Sequence, residues 1–226
     1  WSATHERWVR EGMPADADYR EFFGLDCVSH IQPDTSPRYP VRVIEETDEY
    51  QISTSAWGVT LKSWKHAAST PQFLDFTVTD PDSWRAARAR MTPARDRIDW
   101  DRLARDYPRW RREGHWIEGH FWFGFDITHS WFVGTERILM ALVEEPDWCR
   151  EMFETELDMC IAHFDMLWEA GYTVDAIFWP DDMGYKFNQF FSLTTYRELI
   201  KPVHRRAVEW AHAKGIPVRL HSCGDI

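Results

Sequence analysis

Apolar positions recur with helical spacing along the second half of the chain. Over 146–170, Met152, Phe153, Leu157, Cys160, Ile161, Phe164 and Leu167 fall on one stripe, which predicts a long amphipathic helix closed by Gly171. Short unbroken apolar runs follow. VDAIFWP at 174–180 and IPVRLH at 216–221 read as buried strands of the parallel kind. Between them, 195–213 predicts a helix with a Thr195/Glu198 capping box, a bend at Pro202 and an end at Gly215. Upstream, Asp80-Pro81 opens a helix that runs to about 90. Further helices are predicted at 100–112 and 135–144, with a strand in HWIEGHFWF at 115–123.

The first part of the chain patterns differently. Residues 1–40 are loop-rich, with one short helix at 18–23. Over 41–65 the period is two: Val41 and Val43 alternate with Arg42, and Tyr50, Ile52 and Thr54 with Gln51 and Ser53. A third strand passes through Val59 and Leu61. This stretch is too polar for the centre of a parallel sheet and predicts a surface β-hairpin or meander.

Helix–strand–loop–helix–strand makes a parallel sheet with right-handed crossovers. An open doubly wound sheet is one solution, but no GxGxxG or GxxxxGK[ST] follows any predicted strand. A barrel is favoured. The expected class is α/β, a partial (β/α)8 barrel forming a single domain over 1–226, with the hairpin as an excursion. A complete barrel takes about 250 residues, and about 65 are spent here before the repeat begins. The chain is therefore expected to be a piece of a longer barrel.

Composition narrows the partners. With 26 Lys+Arg against 37 Asp+Glu the net charge is −11, which argues against nucleic acid or an anionic membrane surface. No apolar run approaches the roughly 20 residues of a membrane span, and no signal-peptide pattern opens the chain. Four cysteines in 226 residues do not suggest a disulfide framework, so a reducing, cytoplasmic setting is expected. A small-molecule substrate is the expected partner.

In a parallel barrel the chemistry sits where strands end. One predicted strand ends in Asp181-Asp182, the other in His221-Ser222-Cys223-Gly224. Residues two apart on a strand point the same way, so the His221 imidazole and the Cys223 thiolate reach one ion, and both are good zinc ligands. The competing reading makes them ordinary residues at the sheet's edge. Asp181 and Asp182 are candidate catalytic carboxylates that act as base, orient a substrate or bind a cation, or else belong to a solvated loop. Tyr185 and Lys186, in the same loop, are candidates for lining the pocket, Lys186 for an anionic substrate. His120 reaches the end of its strand, with a satisfied core histidine as the alternative; Asp126 and His129 lie in the loop beyond it. Arg219 is the cation on the last strand. Ser192 and Thr194 read as helix caps, and Cys149 and Cys160 as buried small residues.

The run DDMGYKFNQFFSLTTYRELIKPVHRRAVEWAHAKGIPVRLHSCGDI resembles the uroporphyrinogen decarboxylase superfamily: an acidic pair, a Ser-led helix start, Lys-Pro within the helix, then a glycine, a strand and HxCG. ERWVREGMP, FFGLD, the 41–65 hairpin and FDITHSWFVGTERILMALVEEPDW are similar to the family as well. The resemblance implies a (β/α)8 barrel with one of two chemistries. Porphyrinogen decarboxylases work without a cofactor and hold their substrate with arginines and an aspartate; their RQAGRY stretch is missing from these residues. Corrinoid and coenzyme M methyltransferases bind zinc through His-x-Cys and a later Cys and use it to activate a thiol. His221 and Cys223 match that pair, with the third ligand expected beyond Ile226. The leading expectation is a zinc-dependent methyltransferase-type enzyme that works with a corrinoid protein. Its alternatives are porphyrinogen decarboxylation and a non-catalytic corrinoid-protein binding module.

Overall fold

The structure is a computed structural model that describes residues 2–67 and 69–226. Among the described residues, ten strands are distributed over three sheets: β1 (Val28–Ile31), β2 (Val43–Glu46), β3 (Tyr50–Thr54), β4 (Val59–Trp64), β5 (Gln72–Phe76), β6 (Trp116–His120), β7 (Ala176–Pro180), β8 (Gly184–Tyr185), β9 (Asn188–Gln189) and β10 (Val218–His221). The helices are α1 (Ser2–Arg10), α2 (Tyr19–Phe22), α3 (Pro81–Arg88), α4 (Trp100–Arg112), α5 (Phe125–Ile127), α6 (Thr135–Glu144), α7 (Pro146–Glu169), α8 (Leu193–Thr195) and α9 (Lys201–Ala213).

The central sheet is parallel, with spatial order β1-β6-β7-β10. Each later strand is added beside the one before it. A doubly wound sheet reverses its order at a switch point; this sheet does not. The α/β class and the parallel sheet agree with the sequence, and among the described residues the sheet is four-stranded rather than a closed barrel.

The two faces of that sheet differ. Ile117, Ile177 and Trp179 are buried beneath α7 and α9 together with Phe121, Phe164 and Leu167. Gly119 permits this packing: a Cβ there would stand 2.4 Å from Phe164 Cε1. The opposite face carries Glu118 and His120 from β6, Phe178 from β7 and Arg219 from β10. The Phe178 ring lies 5.0 Å from that of His120 and 4.1 Å from the Arg219 guanidinium carbon.

Residues 41–65 form three antiparallel strands that begin at Val43 rather than Val41, and a fourth, β5, extends the meander to Phe76. β2 is exposed along its whole length, as its polarity predicts. Trp57 anchors the meander edge-on to Phe132, with ring centroids 4.8 Å apart.

Three sequence expectations are corrected. The loop-rich 1–40 contains α1 and a strand of the central sheet, β1. VSHI is too short and too mixed for its periodicity to show, and parallel pairing with β6 makes it a strand. The predicted 115–123 strand stops at His120, and Phe121 and Phe123 turn into the core instead. The Thr195/Glu198 capping box is absent. Ser192 is the cap, its Oγ accepting the Thr195 N–H at 3.1 Å. A π-helical turn over Tyr196–Ile200 then brings Pro202 into the first turn of α9, where its missing N–H costs no hydrogen bond.

Candidate functional site

The segments that follow β7 and β10 are bound to each other. The Asp181 N–H donates to the His221 carbonyl at 2.8 Å, and the Met183 N–H donates to Ser222 Oγ at 3.0 Å. The Asp225 N–H donates to the Tyr185 carbonyl at 3.2 Å. Two glycines let the backbones meet. Gly224 has φ +85°, and a Cβ on it would stand 2.4 Å from the Gly184 carbonyl carbon. A Cβ on Gly184 would stand 2.6 Å from the Asp225 carbonyl oxygen.

This contact gathers three donors. His221 Nε2 lies 3.2 Å from Cys223 Sγ and 3.7 Å from Asp182 Oδ1. All three ligand atoms fall within 4.8 Å of one another. Asp182 Oδ1 also accepts the Cys223 N–H at 2.6 Å, which fixes the carboxylate against the loop it serves. An imidazole, a thiol and a carboxylate at this spacing suit zinc, and three protein ligands leave a fourth position for a substrate. The donors therefore fit the metal that the sequence implies, with Asp182 a further candidate ligand beside the His221 and Cys223 pair. His221 and Cys223 are exposed and Asp182 is half-buried, so the site opens outward. Desolvation by its close neighbours, followed by the Asp182 carboxylate, raises the Cys223 thiol above its ordinary pKa, so a bare thiolate is disfavoured until a cation offsets that charge.

Asp181 plays a different part from its neighbour. It is fully buried, and its Oδ2 lies 2.7 Å from His204 Nε2 while its Oδ1 accepts the Asp126 N–H at 2.7 Å. Its carboxylate is thus committed to α9 and to the loop after β6. Asp181, a catalytic candidate from the sequence, here faces His204 and the Asp126 N–H, beside Asp182. Nearby, Asp126 Oδ1 lies 3.1 Å from His129 Nε2. Below both, Glu156 is wholly buried. Its Oε2 accepts the Gly124 N–H at 2.9 Å and its Oε1 meets the Thr128 hydroxyl at 2.9 Å. Burial raises its pKa well above the usual carboxylate range.

Tyr185 and Lys186 stand on the two-stranded β8/β9 hairpin, both exposed. The Tyr185 backbone touches the Gly224 loop, and the Lys186 ammonium lies 5.1 Å from the Phe187 ring centroid. His120 and Arg219 sit lower on the open face and not among the three donors at the strand tips. Arg219 donates to both oxygens of the buried Glu118, Nε at 3.1 Å and Nη2 at 2.7 Å. Burial and the neighbouring His30 push the His120 pKa down to about 4. Sequence reasoning missed Glu118 and His30. Glu118 lies two before His120 on a predicted strand, which was signal enough to place them on one face; His30 lay in a stretch expected to be loop.

An apolar cavity of about 560 Å³ adjoins the site, lined by Met183, Phe191, Tyr196, Leu220 and Ile226 among others. A cavity of about 650 Å³ lies apart from it, between β5 and α6, and is lined by Phe73, Phe76 and Arg137.

Residues 129–226, which carry α6 to β10 and all three strand-tip donors, match the family model for uroporphyrinogen decarboxylase (URO-D) and support membership of that superfamily. No curated protein matches the chain.

Proposed function

We propose, from the uroporphyrinogen decarboxylase superfamily membership that residues 129–226 support, that this protein is a barrel enzyme of the zinc methyltransferase type, passing a methyl group from a corrinoid to a substrate thiol. The observation that carries this reading is the convergence of Asp182, His221 and Cys223 at two adjoining strand tips. Zinc held there would lower the pKa of a substrate thiol and make it nucleophilic near neutral pH.

The rest of the task falls to the chain itself. Asp182 binds with its carboxylate already oriented by the Cys223 N–H. His221 is held by the end of β10, whose tip is tied to β7 by the Asp181 N–H, and Cys223, in the turn beyond it, by its N–H to Asp182. Met183, Leu220 and Ile226 line the neighbouring apolar cavity. The open side admits a thiol and a corrinoid, free or carried by a partner protein. The four free cysteines suit a reducing, cytoplasmic setting. Among the described residues no helix is long and apolar enough to cross a membrane.

Porphyrinogen decarboxylation has less support. It requires free cations for the substrate's carboxylates, and Arg219, the cation expected to serve, is held bidentately by Glu118. The test is metal loading joined to an assay. The full chain, purified without chelator and supplied with zinc, is expected to retain Cys223-dependent zinc and to demethylate methylcobalamin with a small thiol. Zinc retention that does not depend on Cys223, together with no methyl transfer, overturns the reading.

A further inference from the structure

Glu118 is a buried carboxylate set between two histidines from adjacent strands. Parallel pairing places His30 of β1 opposite Glu118 of β6. Glu118 and His120 are two apart on the same strand and so project from the same face. His30 Nδ1 lies 3.8 Å from Glu118 Oε2, and His120 Nε2 lies 4.0 Å from the same oxygen. The two imidazole rings are 4.4 Å apart, and the three donor atoms fall within 4.8 Å of one another.

We propose that His30, Glu118 and His120 form a second metal site, for a divalent transition ion, on the open face of the central sheet.

Three observations carry the assignment. First, the spacing is within reach of metal geometry: ligand bonds of about 2.0–2.2 Å set tetrahedral donors roughly 3.3–3.6 Å apart, and each histidine nitrogen stands 3.8 or 4.0 Å from the Glu118 oxygen, so the side chains close by a rotation rather than a backbone shift. Second, His120 Nε2 is buried and has no hydrogen-bond partner. Buried ring nitrogens are nearly always partnered, and an ion beside Glu118 supplies the partner. Third, the carboxylate is already oriented. Arg219 occupies two of its roughly four lone-pair directions, one on each oxygen, which leaves the second lone pair of Oε2 for the histidine side, and such outer-shell partners commonly orient metal ligands. The Arg219 charge lowers affinity without removing the site, because its side chain is 57% exposed and screened by solvent.

The donor set decides the class of ion. Two imidazoles and one carboxylate, with no thiolate, suit zinc, iron(II) or cobalt(II), and the remaining positions stay open for water or substrate. This differs from the thiol-bearing trio at the strand tips. His120 is level with Arg219 through Phe178, and His221 lies two residues further along β10. From strand spacing and rise the two sites are roughly 12 Å apart on the same face, near enough for both to border one substrate cavity.

The test is cobalt(II) titration of the full chain after metal removal, followed optically and by metal content. Two equivalents are expected, one of them with a thiolate-to-cobalt charge-transfer band. Cys223→Ala should lose that band and keep one equivalent. His30→Gln/His120→Gln should lose one equivalent and keep the band. His30 is half-exposed, so His30→Gln alone preserves the fold; should the double variant not fold, the single change is expected to weaken the band-free equivalent at least tenfold. Unchanged stoichiometry in the double variant, or unchanged affinity in His30→Gln, overturns the second site. A missing charge-transfer band with a histidine-dependent equivalent would instead count against the thiol-activating reading alone.

Discussion

His204 Nε2 lies 2.7 Å from Asp181 Oδ2, and both groups are buried. The pair joins α9 to the tip of β7. Because Asp181 is held there, the next residue, Asp182, turns toward His221 and Cys223. Adjacent carboxylates of identical chemistry thus acquire separate roles, one buried and structural, the other facing the metal-competent donors.

Substitution should separate these roles. Asp181→Ala leaves the His204 ring and the Asp126 N–H without their partner. The expected cost is about 3 kcal/mol, the order seen when one member of a buried polar pair is removed. Asp182→Ala, at a half-buried position, should cost less than about 1 kcal/mol yet abolish tight zinc binding. Thermal unfolding and metal content read the two effects; equal destabilisation by both changes would refute the division.

Gly224→Ala is expected to strip zinc without touching a ligand. The new Cβ would collide with the Gly184 and Tyr185 backbones, and the residue would have to hold φ +85°. The strand-tip contact opens, and Cys223 loses its register with Asp182. The core beneath α7 is not involved, so the unfolding temperature should fall by only a few degrees. Chelator competition reads the loss, and retention equal to wild type would show that the glycine contact does not hold the site.

Thiol labelling distinguishes the cysteines. Burial pushes the Cys149 and Cys160 thiols up to about 12, so neither should react with iodoacetamide in the folded protein at neutral pH. The exposed Cys223 should react, and zinc should protect it. Mass spectrometry of labelled peptides with and without zinc checks this, and labelling of Cys223 that zinc does not slow would argue against its being a ligand.

Glu156 gives a pH signature. Its folded pKa is raised by burial, so between the usual carboxylate value and the folded value the native state holds a proton that the unfolded chain has released. Stability from this group is therefore complete at low pH and is lost as pH rises. Glu156→Gln keeps an acceptor for the Gly124 N–H and an amide for Thr128, and carries no proton to lose. The variant should show a flatter decline in unfolding temperature above about pH 5, where carboxylates ordinarily ionise. Parallel pH profiles of the two proteins would sink the idea.

Local chemistry made much of this protein readable from its sequence. The stripe from Met152 to Leu167 determines α7, because burying it requires a helix. VDAIFWP determines a buried strand, because an apolar run too short for a helix pairs on both edges. The spacing of His221 and Cys223 puts both at one strand end; β10 stops at His221, so their 3.2 Å contact is set by the turn beyond it. Tertiary structure decided what depends on distant partners. Val28–Ile31 is a strand only because β6 lies alongside it. Asp181 and Asp182 differ only because His204 arrives from α9 to claim the first. His30 meets Glu118 and His120 across 88 residues of chain, through strand register, a property of the pairing and not of any local pattern.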